Sequence, residues 1–377
     1  MSDNHERALD ALSRRGRLRA LETARGIDFT SNDYLGLAQS RELAQAIEAA
    51  IARGVPVGAG GSRLLRGNHP EHETLEAEAA AFFGGETALF FGGGFIANTA
   101  ILATLPSRGD LIVYDELIHA SAHDGMRLSK ADARPARHND AQAVDDAIRE
   151  WRASGGVGQP WIAIESLYSM DGDRAPIAAL ADIADRHDAM LVVDEAHATG
   201  VFGPNGRGLA ADLEGRENVV TLHTCGKALG AMGALVIAPR TIRDFIINRG
   251  RAFIYATAPS PLMASAVRAA LDICRRDPKR RDGLHSLVAF TARELSSKTR
   301  FVPSGSQIQP LVVGSDGTAV SLATAMKARG YDIRPIRPPT VPEGTSRLRL
   351  TITLNVDDAQ IIRFIDDLAA AEAENAA

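Results

Sequence analysis

The sequence runs to 377 residues, 45% of them hydrophobic and 24% charged, with a formal net charge of −5. That length exceeds one ordinary core and points to two packed domains, while the mildly acidic balance leaves no electrostatic footprint for nucleic acid or an anionic membrane surface. Two cysteines, Cys225 and Cys274, exclude a disulfide framework and a four-thiolate zinc site, and no apolar run approaches the roughly 20 residues that span a bilayer.

In chain order, the opening MSDNHERALD is polar and charged with no apolar signal core behind it, so a cytoplasmic protein is expected. Short apolar runs predict strands over Thr87–Phe91, Leu111–Asp115, Trp161–Glu165, Met190–Asp194, Val219–Thr224 and Ala234–Ala238. Helical patterns separate several of them, including Ile177–His187 with Pro176 at a plausible first helical position. Continuous apolar strands alternating with helices imply an α/β fold around a mostly parallel sheet buried on both faces. Ligands in such sheets bind beyond the carboxyl ends of the strands, so Asp115, Glu165, Asp194 and Thr224 are the residues to inspect. Past Pro259 the texture changes: one long helical stretch over 260–297, a strand in IQPLVVG (308–314), a helix near Ala319–Arg329, a half-buried strand in SRLRLTIT (346–353), and a closing helix after Asp357. The expected division is an N-terminal segment 1–40, a large α/β domain 41–259 and a smaller α+β domain 260–377.

Three segments carry the chemistry. In MLVVDEAHATGVFGPNGRG (190–208) a strand ends on Asp194, with His197 three residues on. A lone strand-end carboxylate most often caps a helix or pairs with a cation. In TLHTCGKALGAMGA (221–234), however, Lys227 follows a strand end among Gly226, Ala228 and Gly230, neighbours suited to close packing rather than to display in water. A lysine and a carboxylate converging on one cleft match the needs of pyridoxal phosphate, an amine to hold it as an imine and an anion to keep its pyridine nitrogen protonated. In ALFFGGGFIANTAIL (88–102) a strand runs through Gly92-Gly93-Gly94 into a helix, which is either a phosphate seat or a plain tight turn. Thr224 is a candidate hydroxyl donor to the same phosphate.

His119 and His123 lie four apart in LIHASAHDGMRL and raise the possibility of a metal pair. With no third ligand nearby and no zinc-protease glutamate, a metal is not expected, and His119 reads better as an aromatic face for a cofactor ring. In HPEHE (69–73), Pro70 suggests a helix start with His69 and His72 in capping or packing roles.

These motifs, with NDYLGL, GAGGSRLLRG (58–67), HETLE (72–76), LIHAS (117–121) and SLYSMDGD (166–173), resemble the α-oxoamine synthases, acyl-CoA-dependent pyridoxal-phosphate enzymes of fold type I. The similarity is collinear from about residue 30 to 353 and covers most of the chain. It implies a seven-stranded sheet in the large domain and a homodimer whose active sites lie at the subunit interface. It implies further that Lys227 forms the Schiff base and removes the α-proton, that Asp194 pairs with the pyridinium, and that His119 stacks on the ring. Ser169 and His197 would contact the phenolic oxygen or ring edge, and Gly94, Phe95 and Thr224 the phosphate. Asn32 and Arg347 would handle the amino acid, Thr340 would line the acyl pocket, and Arg14, or in its place Arg15 or Arg17, would reach the acyl donor. Within the family, IRPIRPPTVPEGTSRLRLTIT (333–353) is similar to the member that joins L-alanine to a pimeloyl thioester. The rivals are a glycine- and acetyl-CoA-using relative, a fold-type-I aminotransferase, and a nucleotide-binding α/β module.

Overall fold

The computed structural model describes residues 2–376, which fall into two compact units. The larger, Leu35–Ser169 with Arg174–Arg281, is built on a seven-stranded sheet. From edge to edge the strands are Thr87–Phe91, Ala234–Ala238, Val219–Thr224, Met190–Asp194, Pro160–Glu165, Leu111–Asp115 and Asp132–Ala136. Only Ala234–Ala238 runs antiparallel to its neighbours. The expected strands are therefore present, and the expectation of a mostly parallel sheet holds. Apolar layers cover both faces: Ile101, Met126, Val192 and Phe253 belong to one, Ile148, Trp151, Leu180 and Val193 to the other. Burial on both sides is why the strands read as unbroken apolar runs.

One strand was not anticipated. Asp132–Ala136, sequence DARPA, is a largely exposed edge strand containing Pro135. An edge needs no continuous apolar run, and proline is tolerated where one side of the ladder is open.

The long helical stretch expected over 260–297 is two helices, Pro261–Arg276 and Pro278–Lys298, broken at Asp277. Pro278 lacks the amide that would continue the first helix and suits the first turn of the second. Residues 260–281, placed by texture in the C-terminal part, cluster with the larger unit. There the helix Pro261–Arg276 packs on the helices Arg41–Ala52 and Pro70–Phe83.

Around that packing the HPEHE histidines take structural roles. His69 caps the helix Pro70–Phe83 by accepting the Glu71 amide at 3.2 Å. His72 is fully buried with Nε2 2.8 Å from the Pro259 carbonyl. Desolvation, reinforced by Arg63, holds its pKa below the ordinary histidine value. The unfolded chain therefore binds this proton more readily, so the stability linked to His72 is present above the ordinary pKa of about 6.5 and is lost as pH falls below it. His72→Gln should consequently be most destabilising relative to the parent near pH 7.5, the gap in denaturant midpoint narrowing toward pH 5.5. A gap independent of pH would contradict this.

The smaller unit comprises Met1–Tyr34, Met170–Asp173 and Asp282–Ala377. Its sheet places Ser346–Thr351 between Pro335–Ile336 and Ile308–Gly314, antiparallel to both. A parallel two-residue pair, Ile27–Asp28 with Tyr331–Asp332, ties in the N-terminal segment. The half-buried strand expected in SRLRLTIT is buried throughout, arginines included, because it is the central strand and its polar side chains find internal partners. Both cysteines lie buried in the larger unit, and burial pushes the Cys274 thiol up to about 11 and Cys225 higher still. Among the described residues no helix is long and apolar enough to cross a membrane.

Candidate active site

In the larger unit, the parallel strands finish on Phe91, Asp115, Glu165, Asp194 and Thr224 along one edge of the sheet. The single antiparallel strand explains the position of Lys227. The chain leaves Thr224, makes the short connection 225–233 and returns at once as Ala234–Ala238, so the connection stays at that edge. It is closed by the Cys225 amide on the Gly233 carbonyl and the Ala231 amide on the Cys225 carbonyl, both 2.9 Å. Gly230 has φ +63°, and a β-carbon there would come within 2.5 Å of the Leu37–Ala38 backbone. Ala228 and Leu229 are buried beside a half-buried Lys227. The small neighbours thus seat the lysine against protein, as the sequence suggested.

Asp194 is buried, and both its oxygens are engaged: Oδ1 accepts the Ala196 amide at 2.9 Å and Oδ2 the Asn98 side-chain amide at 2.6 Å. Asn98 escaped the sequence reading, where it looks like one more polar residue in the helix that follows the glycine turn. Glu165, the in-register neighbour of Asp194, is fully buried. Its Oε2 accepts the Ser169 amide at 3.2 Å, and its Oε1 has no partner. Burial first, and then repulsion from Asp194, raise its pKa well above the usual carboxylate range against the opposing pull of Lys227. Asp115 proves structural. Burial would raise its pKa, but His138 at 2.9 Å and the amides of Asn139 and Leu117 more than compensate and hold it low.

His119 and His123 take different roles. His119 precedes the helix Ala120–Leu128 as its cap, Nδ1 accepting the Ser121 amide at 3.2 Å, whereas His123 sets its ring edge to Tyr114, centroids 5.3 Å apart. Much of the His119 surface is open, and its ring meets Phe95 at 81° with centroids 6.4 Å apart. Desolvation and the positive charge of Lys227 keep its pKa low despite Asp194.

The glycine turn opens the helix Gly94–Thr104, whose first amides receive no side-chain cap. A β-carbon on Gly94 would lie 3.4 Å from Thr224 Oγ1, so the hydroxyl and the helix N-terminus converge. Free amides, a hydroxyl and the positive end of a helix dipole form a donor set suited to a phosphate. With a half-buried amine and a fixed carboxylate along the same sheet edge, these residues fit pyridoxal phosphate. His197 is buried just beyond Asp194 and Ser169 just beyond Glu165. Among the described residues there is no group of three or more potential metal ligands.

The amino-acid and acyl candidates lie in the smaller unit. Arg347 is 4% exposed and ion-paired with Asp171, and its Nε donates to the Thr345 carbonyl at 3.0 Å. Arg349 donates to Thr351 Oγ1 at 2.8 Å and to the Tyr34 hydroxyl at 3.4 Å, and that hydroxyl donates to Asn32 Oδ1 at 3.1 Å. The two arginines therefore differ: one is held by an acidic side chain, the other braces Asn32 through Tyr34. Near the N-terminus it is Arg19, not Arg14, that reaches Thr340, 3.3 Å from its Oγ1. Arg14 ends the first helix, and the intervening residues turn back along a groove of about 310 Å³ lined by Arg15, Arg17, Arg19, Pro338, Pro339 and Val341.

A family model for class I and II aminotransferases matches residues 24–368. An 8-amino-7-oxononanoate synthase of Chromobacterium violaceum is 41% identical over 342 residues, 90% of this chain and 88% of that one. A structure of SPT with PLP superposes with a TM-score of 0.89 at 25% identity, covering 99% of this chain and 98% of its own. The crystal structure of 8-amino-7-oxononanoate synthase from Francisella tularensis superposes at 0.78 with 28% identity, covering 93% and 99%.

Proposed function

We propose, from the premise that the chain belongs to the class I and II aminotransferase family, that it joins L-alanine to a pimeloyl thioester to give 8-amino-7-oxononanoate in biotin biosynthesis. The observation that carries this reading is the 41% identity to a curated 8-amino-7-oxononanoate synthase across 90% of the chain. The thioester is that of coenzyme A or of an acyl carrier protein. The new carbon–carbon bond forms between the alanine α-carbon and the thioester carbonyl while the carbon–sulfur bond breaks. The alanine carboxylate then leaves as carbon dioxide, and a proton returns to the α-carbon.

The cofactor is pyridoxal phosphate, which when bound supplies a protonated ring that accepts the electron pair released at the α-carbon. The protein's part is orientation and charge. Lys227 holds the cofactor at rest and, once displaced, takes the alanine α-proton on Nζ. Asp194, fixed by Asn98 and Ala196, keeps the pyridine nitrogen protonated. With the cofactor bound, His119 would lie on the ring face, and Ser169 and His197 would meet the phenolic oxygen or ring edge. The amides of Gly94 and Phe95, with Thr224, hold the phosphate. Arg347 would clamp the alanine carboxylate, Asn32 would contact the amino acid, and Thr340 would line the acyl pocket. Arg19 replaces Arg14 as the arginine for the acyl donor because it is the one at Thr340.

Single-turnover product analysis with alanine or glycine against pimeloyl-CoA or acetyl-CoA tests the reading. Coupled release of carrier and carbon dioxide is expected for alanine with the pimeloyl thioester. A preference for glycine with acetyl-CoA, or amino transfer to an oxoacid without thiol release, would refute it.

The working form is a homodimer in the cytoplasm. Large apolar side chains remain open on the larger unit, among them Leu65, Phe95, Met232 and Tyr255, the last 73% exposed, and GAGGSRLLRG holds one of them. A fully active monomer by sedimentation at assay concentration would exclude the dimer.

A further inference from the structure

Between Asp194 and His119 lies a chain of contacts whose direction is fixed by chemistry. Asn98, 4% exposed, places its side-chain nitrogen 2.6 Å from Asp194 Oδ2 and 3.0 Å from Ser121 Oγ. An amide nitrogen only donates and a carboxylate only accepts, so both amide hydrogens are committed, one to each oxygen. Ser121 Oγ, buried and accepting from Asn98, lies 2.8 Å from His119 Nδ1. Because the Ser121 backbone amide donates to that same Nδ1, at 3.2 Å, the ring nitrogen is the acceptor and the hydroxyl donates to it. The approach that permits this depends on Gly125, where a β-carbon would lie 2.9 Å from Leu102 Cβ and 3.2 Å from the Asn98 carbonyl oxygen. The helices Gly94–Thr104 and Ala120–Leu128 meet at that glycine.

We propose that Asn98 and Ser121 are positioning residues that couple Asp194 to His119 through one directed chain of hydrogen bonds and hold the His119 imidazole in the tautomer with its proton on Nε2. The proposal rests on the reading of Asp194 and His119 as cofactor contacts. It makes the orientation of the carboxylate at the pyridine nitrogen and the donor carried by the stacked ring parts of one arrangement. Nδ1, receiving two donors, cannot take a proton without losing both, so the chain disfavours the imidazolium. The charged groups acting on His119 are Asp194, which favours the cation, and Lys227 and His123, which oppose it.

The test uses the full chain carrying Asn98→Ala, Ser121→Ala, or the Asn98→Ala/Ser121→Ala pair. His119 is titrated by nitrogen NMR without cofactor, and pyridoxal phosphate affinity is measured by absorbance titration. In the parent, the nitrogen spectrum should show Nε2 protonated. In Ser121→Ala the titration of His119 should move up, because Nδ1 loses the hydroxyl donor. Asn98→Ala and Ser121→Ala should each weaken cofactor binding by about tenfold, the factor corresponding to one net hydrogen bond of ~1.4 kcal/mol. The pair should cost no more than the larger single change, since members of one chain do not act additively. Unmoved His119 titrations, or strictly additive losses of affinity, would overturn the proposal. If the parent took up no pyridoxal phosphate, the functional reading would fail instead, and the titration in the cofactor-free chain would still decide whether the relay exists. Ser121→Ala, which removes a single hydroxyl and adds no charge, guards against a folding defect in the Asn98 variant.

Discussion

Lys227→Ala should abolish turnover, by at least about ten-thousand-fold, the upper range of what a general base alone supplies, and leave a folded protein. The magnitude follows from two roles lost together, the covalent anchor and the α-proton acceptor. The fold should survive because the buried neighbours Ala228 and Leu229 and the closing bonds of the connection do not involve the lysine side chain. Of the other lysines, Lys130 and Lys279 are exposed, and Lys298 and Lys327 are tied to carboxylates. Lys227 is the half-buried amine along the edge that holds Asp194. Borohydride reduction of the cofactor-loaded protein followed by peptide mapping should place the label on Lys227. A label on Lys130, or an alanine variant with a collapsed thermal transition, would defeat the assignment.

Asp194→Asn should keep the cofactor but lose most of the activity. The neutral amide retains an acceptor for the Ala196 amide, but it cannot balance a protonated pyridine nitrogen. Removing one member of a buried, hydrogen-bonded charge pair costs about 2–5 kcal/mol, which at ~1.4 kcal/mol per decade is roughly thirty- to several-thousand-fold. Deuterium exchange at the alanine α-carbon isolates the proton-removal step from acyl transfer and should fall by that factor. Exchange at the parental rate would show that Asp194 acts only as a brace for Asn98.

Both residues stand out in the sequence because Asp194 ends, and Lys227 closely follows, a strand long and apolar enough to be recognised, and position in the sheet is fixed by the end of the strand. The phosphate seat was legible only as an ambiguity. Three glycines are equally a tight turn, and support for the seat came only from the tertiary structure, where a β-carbon added to Gly94 would lie 3.4 Å from Thr224 Oγ1. Asn98 and Ser121 were not legible, since their significance arises where two helices touch, and no local pattern records which residues of two helices will meet. Glu165 was visible as a strand-end carboxylate, but its missing partner was not. The N-terminal arginine was ambiguous in the sequence for a related reason. Arg14 through Arg19 crowd a short stretch whose path turns after the first helix, so spacing alone could not identify the one that reaches Thr340.

The burial of Cys225 and Cys274 has a practical consequence. The thiolate is the form that reacts with alkylating reagents. With its pKa near 11, Cys274 would present it in only about one molecule in ten thousand at pH 7, and Cys225 in fewer. The native chain is therefore close to a silent background for thiol chemistry without removal of either cysteine. A single cysteine introduced at Val157, 93% exposed, would give one addressable position for a fluorophore or spin label, and the distance between two such labels would report assembly directly in solution.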